Sequence, residues 1–338
     1  MSKFRAAVIA VTLAVLFFVP TTVMAKEETA QKEETEPKKT EEIFEEPKPE
    51  EPELEEQEQF FRIYDMETEE IKNVTYSDYV KGAVAAEMGA SFEEEALAAQ
   101  GVAAFSYALY HKELHSAADY DFSAAPEKKL GYMTEEKAKE VYGKDFEESW
   151  NKISRAAEKA MEYVLCYDKK PALSVYHAIS AGKTESCENA WGAFVEYLVP
   201  VESPGDVLHK DYETTVIVEE KDALERLNPN GAKLNGKKPQ KWFEGAKLTE
   251  SGYVDYIEIG AATFSGEKLR NLFGLRSAAF TVEYKKGEFI FTVHGYGHGV
   301  GLSQIGANEM AKNGAAFEEI LAHYYPGTEL LEYGEVYG

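Results

Sequence analysis

GYGHGVGLSQIG, Gly295 to Gly306, sets glycine at four alternate positions ahead of a Ser-Gln pair and one more glycine. Glycine at that density marks backbone that bends sharply or lies close to something. Two phosphate-binding readings fail on residue type. A dinucleotide fingerprint needs G-x-G-x-x-G behind a strand, and the spacing from Gly299 onward differs. A Walker A loop needs a lysine and a hydroxyl after its last glycine, where Ala307 and Asn308 stand. What remains is a period of two, with Gly295, Gly297, Gly299 and Gly301 on one face of an extended segment and Tyr296, His298, Val300 and Leu302 on the other. The bare face suits a flat partner such as a sugar ring, or the close packing of another strand. Ser303 is placed to cap a following helix, and Gln304 offers a two-way amide at its mouth.

Around this segment the chain reads as alternating helical and strand patterns. SAAFTVEYKKGEFIFTVHGYG, just before it, gives two strands joined by a Lys-Gly turn. SQIGANEMAKNG and AAFEEILAHYYPG, after it, give two helices separated by Gly314 and stopped at Pro326 and Gly327. Toward the N-terminus, SDYVKGAVAAEM carries one apolar helix face, with Ser77 expected as N-cap and Gly89 as the stop. A second helix is expected from Phe92 to about His111, opened by a Ser91–Glu94 capping box. It is rich in alanine with Gly101 in its middle, so a neighbour can approach closely and the helix should be buried. A helical stretch from 134 to 165 follows, then PALSVYHAIS as a strand and AGKTESCENAWG as a loop. The expected fold class is α+β. A mixed helical and β core comes from residues 60–202 and 274–338, and a smaller β-rich subdomain, 203–273, is inserted between them.

The first 59 residues are of another kind. Lys3 and Arg5 precede an apolar run from Ala6 to Val19, and Val23-Met24-Ala25 resembles a cleavage site, which together read as an export segment. Counted through to Ala25, it nears the roughly 20 residues that span a bilayer, so a cleaved signal and a retained anchor both stay open. From Lys26 to Glu58 there are 15 Glu against 5 Lys, with four prolines and almost nothing apolar. Residues 26–59 are therefore expected to form an extended, self-repelling linker. The whole chain carries a net charge of −25 and shows no basic stripe, which argues against a nucleic-acid partner. A folded part acting outside the cytoplasm leaves a Cys166–Cys187 disulfide possible. The cysteine spacing fits no zinc pattern, so no metal is expected; His177 and Cys187 are the pair nearest to one. A cysteine peptidase is disfavoured for want of an orienting partner or a nucleophile motif.

Two further residues stand out chemically. Glu87 continues the apolar face of its helix, where a lone carboxylate is costly unless paired or protonated. Desolvation would raise its pKa and suit it to general-acid work; the plain alternative is a glutamate that reaches solvent past Gly89. His177, on the face opposite Tyr176 in SVYHAIS, reads first as a hydrogen-bonded core histidine, with a ligand contact as the other reading. The small residues Ser180, Gly182 and Thr184 follow it in a loop able to lie against a ligand.

Four segments together resemble the stage II sporulation protein D family of bacterial peptidoglycan enzymes: YVKGAVAAEM…SFEEEALAAQGVAAFSYAL, VYHAISAGKTESCENAWG, LFGLRSAAF and GYGHGVGLSQIGANEMAKNGAAFEEILAHYYPGTEL. The resemblance covers nearly the whole chain after the linker. It implies lytic transglycosylation of glycan strands stripped of stem peptides, with no cofactor, in sporulation, beside an amidase and a membrane partner. It implies Glu87 as the catalytic acid, and a cleft lined by His177, Ser180, His298, Ser303 and Gln304. Such chemistry needs one carboxyl group, because the nucleophile is the sugar's own C6 hydroxyl; ordinary glycosidases need two. The chain departs from the family pattern at Phe105, where an arginine is usual, at Ala181 in place of a glycine, and at Gly89 where proline is common. With little activity of its own, the same fold would be a glycan-binding protein that stimulates an amidase.

Overall fold

The computed structural model describes residues 59–338. The expected export segment and all but the last residue of the linker lie outside the described residues. Among those described, no helix is long and apolar enough to cross a membrane.

The chain enters as an antiparallel pair, β1 (Phe60–Asp65) and β2 (Glu70–Thr75). Thr75 then ends the strand and caps α1 (Tyr76–Glu87), its hydroxyl accepting from the Asp78 N–H at 3.0 Å. The cap is thus two residues earlier than Ser77, which sits inside the first turn. Gly89, at φ +77°, ends the helix as expected by returning its N–H to the Val84 carbonyl. The next helix, α2 (Glu94–Leu114), lacks the expected capping box: its N-cap is Glu93, with no side-chain cap. A tertiary bond replaces the local one, since Asn308 Oδ1 accepts from the Glu93 N–H at 2.8 Å.

As its composition predicts, α2 is buried nearly all round. After β3 (Phe122–Ala124) come α3 (Glu135–Tyr142) and α4 (Phe146–Met161), split where Gly143 takes φ +54°. Ile153, Ala156, Ala157 and Ala160 form the buried stripe of α4. A Cβ on Gly101 would lie 2.7 Å from that of Ala160, so α2 and α4 approach as closely as a bare glycine allows. The end of the expected helical stretch is instead a strand, β4 (Tyr163–Tyr167), whose aromatic and branched residues favour a sheet. PALSVYHAIS is mostly irregular, holding only β5 (Lys170–Pro171) and β6 (Tyr176–His177), and α5 (Cys187–Trp191) closes this half.

β7 (Glu213–Glu219), α6 (Glu220–Leu227) and the exposed β8 (Lys247–Leu248) are followed by β9 (Val254–Ile259), β10 (Ala262–Ser265) and α7 (Gly266–Phe273), and all of these but β8 bury side chains in a second apolar cluster. It also takes in the hairpin β11 (Phe280–Lys285) and β12 (Glu288–His294), joined at Lys286-Gly287 with both residues at positive φ. The sequence reading assigns 274–294 to the core. Here β12 pairs with β7, and Phe289, Phe291 and Val293 bury their faces in the second cluster. The chain rejoins the first cluster only at Val300, then runs through β13 (Leu302–Ser303), α8 (Gln304–Lys312), α9 (Phe317–Tyr324), β14 (Glu329–Glu332) and α10 (Tyr333–Tyr337). Among the described residues the architecture is mixed α and β without a barrel: five small sheets, the largest of three strands, packed with helices.

Candidate functional site

The opening glycine run makes the crossing between the two clusters, and its path is not a flat strand. Gly295, Gly297, Gly299 and Gly301 all hold positive φ, so the segment is not a regular strand. What comes close is the protein's own chain. A Cβ on Gly297 would fall 2.7 Å from that of His177, and one on Gly295 would fall 2.7 Å from the Ile179 carbonyl oxygen. The expectation of a glycine wall open to a sugar ring is corrected: residues 175–180 fill the space beside Gly295, Gly297 and Gly301, and the Tyr253 ring fills it beside Gly299.

That packing aligns β13 with β6 in parallel, Leu302 beside Tyr176 and Ser303 beside His177. Ser303 caps α8 as expected, accepting from the Gly306 N–H at 3.3 Å. The first residue of α8 is Gln304, and its Nε2 donates to Glu87 Oε2 at 3.2 Å across 217 residues of sequence. The same nitrogen donates to Gln100 Oε1 of α2 at 3.3 Å. Glu87 is half-buried at the end of α1. Burial pushes its carboxyl above the usual carboxylate range, and the Gln304 hydrogen bond opposes that in part. Among the described residues, Gln304 is its one hydrogen-bond partner. The phenols of Tyr79 and Tyr176 are raised, mainly by burial, with the Glu87 charge adding to it. Sequence reasoning missed Gln100, which is fully buried, although a glutamine inside an alanine-rich helix expected to be buried is itself a signal.

The histidines stand apart from this carboxyl group. Neighbouring residues of β6 face opposite ways, and it is Tyr176 that the Glu87 charge reaches. His177 is buried, with Nδ1 donating to the Val300 carbonyl at 3.1 Å and Nε2 without a hydrogen-bond partner among the described residues. Burial lowers its pKa to about 4. His298 accepts from the Val300 N–H on Nδ1 at 3.0 Å, and its ring lies 5.6 Å from that of His177 and 4.9 Å from that of Trp191. Burial, then His177 and Arg270, hold it well below the usual histidine value. Both rings are therefore neutral at neutral pH, and neither brings a positive charge to the site.

Ser180, Thr184 and Ser303, expected to line the cleft, are each wholly buried. Ser180 donates its N–H and its hydroxyl to Asp206 Oδ2 at 2.9 and 2.5 Å, and Ser303 donates to Asp206 Oδ1 at 2.8 Å. Thr184 Oγ1 accepts from the Val201 N–H at 2.8 Å. Gly182 turns the loop at φ +96°, its N–H held by Ser180 Oγ at 3.1 Å. These residues fix loops rather than present groups to a ligand. Asp206 gives no sequence signal, since Ser-Pro-Gly-Asp reads as an ordinary turn.

Cys166 and Cys187 are buried free thiols, both pushed up to about 11 by burial. They sit in different elements of the first cluster, β4 and α5, and the possible disulfide is not formed. No group of three or more His, Cys, Asp or Glu side chains able to hold a metal occurs among the described residues. Phe105 sits in an aromatic cluster with Phe61, Tyr76 and Tyr333, at ring separations of 6.3, 5.2 and 5.8 Å, so this departure is absorbed as core packing.

Known proteins bear on this arrangement. The family model described as Stage II sporulation protein matches residues 64–167, which contain Glu87 and Gln100. Stage II sporulation protein D of Bacillus subtilis (strain 168) is 31% identical over 278 residues, covering 80% of this chain and 78% of that protein. Its counterpart from Bacillus amyloliquefaciens is 30% identical over 273 residues, with the same coverage. A protein named amidase enhancer, from Bacillus subtilis (strain 168), is 26% identical over 308 residues, covering 75% of this chain and 40% of its own length. With identity at this level over four fifths of its length, the chain belongs to the stage II sporulation protein D family.

Proposed function

We propose that this protein is a lytic transglycosylase that cleaves denuded peptidoglycan strands between N-acetylmuramic acid and N-acetylglucosamine, with Glu87 as its acid and base. The single observation that carries the reading is the state of Glu87: a half-buried carboxyl group held toward its protonated form by burial, with the amide of Gln304 fixing its orientation. A protonated Glu87 donates to the bridging oxygen as the glycosidic bond breaks. The resulting carboxylate takes the proton of the C6 hydroxyl as that oxygen closes on C1, which restores the acid and leaves a 1,6-anhydro end. A second carboxylate is not required, and Gln304 is the only side chain hydrogen-bonded to Glu87 among the described residues. Tyr176, half-buried and near enough for the Glu87 charge to raise its phenol, is the aromatic side chain the reading assigns to contact a pyranose. The substrate places the activity in the cell wall, outside the cytoplasm, working on strands that a sporulation amidase has stripped, with a membrane partner.

The test is Glu87→Gln assayed on denuded strands by mass spectrometry. The variant should bind strands and lose about 100-fold or more of its anhydro-product formation. Anhydro ends appearing at the wild-type rate would remove Glu87 from the role. A second reading, a glycan-binding stimulator of an amidase, draws on the relative named an amidase enhancer. Strand binding by the wild type with no anhydro product would favour it.

A further inference from the structure

Asp206 belongs to no motif, yet it sits where three parts of the site region meet. It lies in the turn 204–208, fully buried, and its hydrogen-bond partners among the described residues are all neutral donors. One carboxylate oxygen takes both the N–H and the hydroxyl of Ser180, in the loop that leaves β6. The other takes the hydroxyl of Ser303, the N-cap of α8. The two paired strands β6 and β13 are therefore clamped at their ends by one side chain. The turn itself is seated on α8, since a Cβ on Gly205 would fall 2.6 Å from that of Glu309. The residue directly after Ser303 is Gln304.

We infer that Asp206 is a positioning residue: by holding Ser303 against the loop after β6, it fixes the start of α8 and so holds the Gln304 amide on Glu87. The catalytic consequence rests on the reading of Glu87 as the acid; the geometric one does not. Asparagine cannot take its place without loss, because it has one acceptor oxygen for donors that now use two. The Ser180 N–H can only donate, so in such a variant the amide oxygen would turn to Ser180 and the NH₂ would face Ser303. The Ser303 hydroxyl would then have to reverse.

The sign of the effect separates positioning from direct electrostatics. Deleting an anion lowers the pKa of a nearby carboxyl group. Loss of the Gln304 hydrogen bond raises that of Glu87, because that bond now opposes the effect of burial. The titratable groups coupled to Glu87 include the phenols of Tyr79 and Tyr176, and those coupled to Asp206 include the phenols of Tyr212, Tyr253 and Tyr324. All five phenols are pushed upward and stay neutral across the range of the measurement. Asp206 itself is raised by burial, against its hydrogen bonds, and is absent from the Asp206→Asn variant.

The experiment follows the Glu87 carboxyl carbon by NMR titration in the wild type, Asp206→Asn, Gln304→Leu and the double variant, alongside turnover of denuded strands. Asp206→Asn should move the Glu87 titration to higher pH, in the same direction as Gln304→Leu, and slow turnover about 10- to 100-fold. The double variant should be no worse than Gln304→Leu alone, since both break one linkage. An unmoved or lowered titration, or losses that multiply, overturns the proposal. Should Asp206→Asn not fold, Ser303→Ala cuts the link between Asp206 and the start of α8, together with the Ser303 cap on the Gly306 N–H, without changing charge, and the same upward movement is required of it. If Glu87→Gln still cleaves at the wild-type rate, the acid assignment fails while the titration still decides the role of Asp206.

Discussion

At the scale of single residues, the candidate site is a carboxyl group that the fold makes uncomfortable. The folded state holds the Glu87 proton more tightly than the unfolded chain does, because burial raises its pKa. Stability is then fully present below the ordinary carboxylate range and falls as pH climbs through the raised value. Glu87→Gln removes that loss while keeping an oxygen to accept from Gln304. At pH 7 the variant should melt at a higher temperature than the wild type, and the difference should vanish below about pH 4. Equal melting temperatures at pH 7 would mean that Glu87 costs the fold nothing. This residue was legible in the sequence because a carboxylate continued an apolar helix face. Asp206 was not, since a buried aspartate and a solvated one look alike inside a Ser-Pro-Gly turn. The roles expected of Ser180, Thr184 and Ser303 depended on which way their hydroxyls point, and short polar residues leave that to tertiary structure.

Among the elements, patterns with a local cause were legible and those with a distant cause were not. The burial of α2, the stop at Gly89, the Lys286-Gly287 hairpin and the Ser303 cap all follow from residues within a few positions of each other. The start of α2 does not, because its Glu93 N–H is held by Asn308 from across the fold. The glycine run shows the same division more sharply. A period of two implies one bare face only if every residue keeps a negative φ, and glycine is the residue least bound to do so. Gly297→Ala tests what the run is for. The site has φ +116°, and the added methyl would lie 2.7 Å from His177 Cβ, so strain and overlap add. The variant should lose about 1–3 kcal/mol in chemical denaturation. No loss would show that the run is free to move away from β6.

Across the whole molecule, the two apolar clusters are stitched by polar contacts from buried side chains. Composition marks the more polar 203–273 stretch, but the pairing of β12 with β7 joins strands about 70 residues apart, and nothing local announces a partner at that distance. Glu185, in the loop before α5, is one of the stitches. Its Oε1 accepts from the Ser186 N–H at 2.7 Å and from Asn189 Nδ2 at 2.9 Å, both near in sequence. Its Oε2 accepts from Thr249 Oγ1 at 2.5 Å, from the segment between β8 and β9 of the second cluster. Glu185 is only 2% exposed, so an oxygen deprived of its donor has little water to turn to. Thr249→Val keeps the shape and removes the hydroxyl. It should lower the urea midpoint by the equivalent of about 1–3 kcal/mol, the cost of leaving a buried acceptor unmet. If the clusters unfold as one unit, the slope of the transition stays at its wild-type value while the midpoint drops. A midpoint that does not move would mean this contact holds nothing together, whereas a shallower slope would mean the second cluster comes apart first once its stitch is cut.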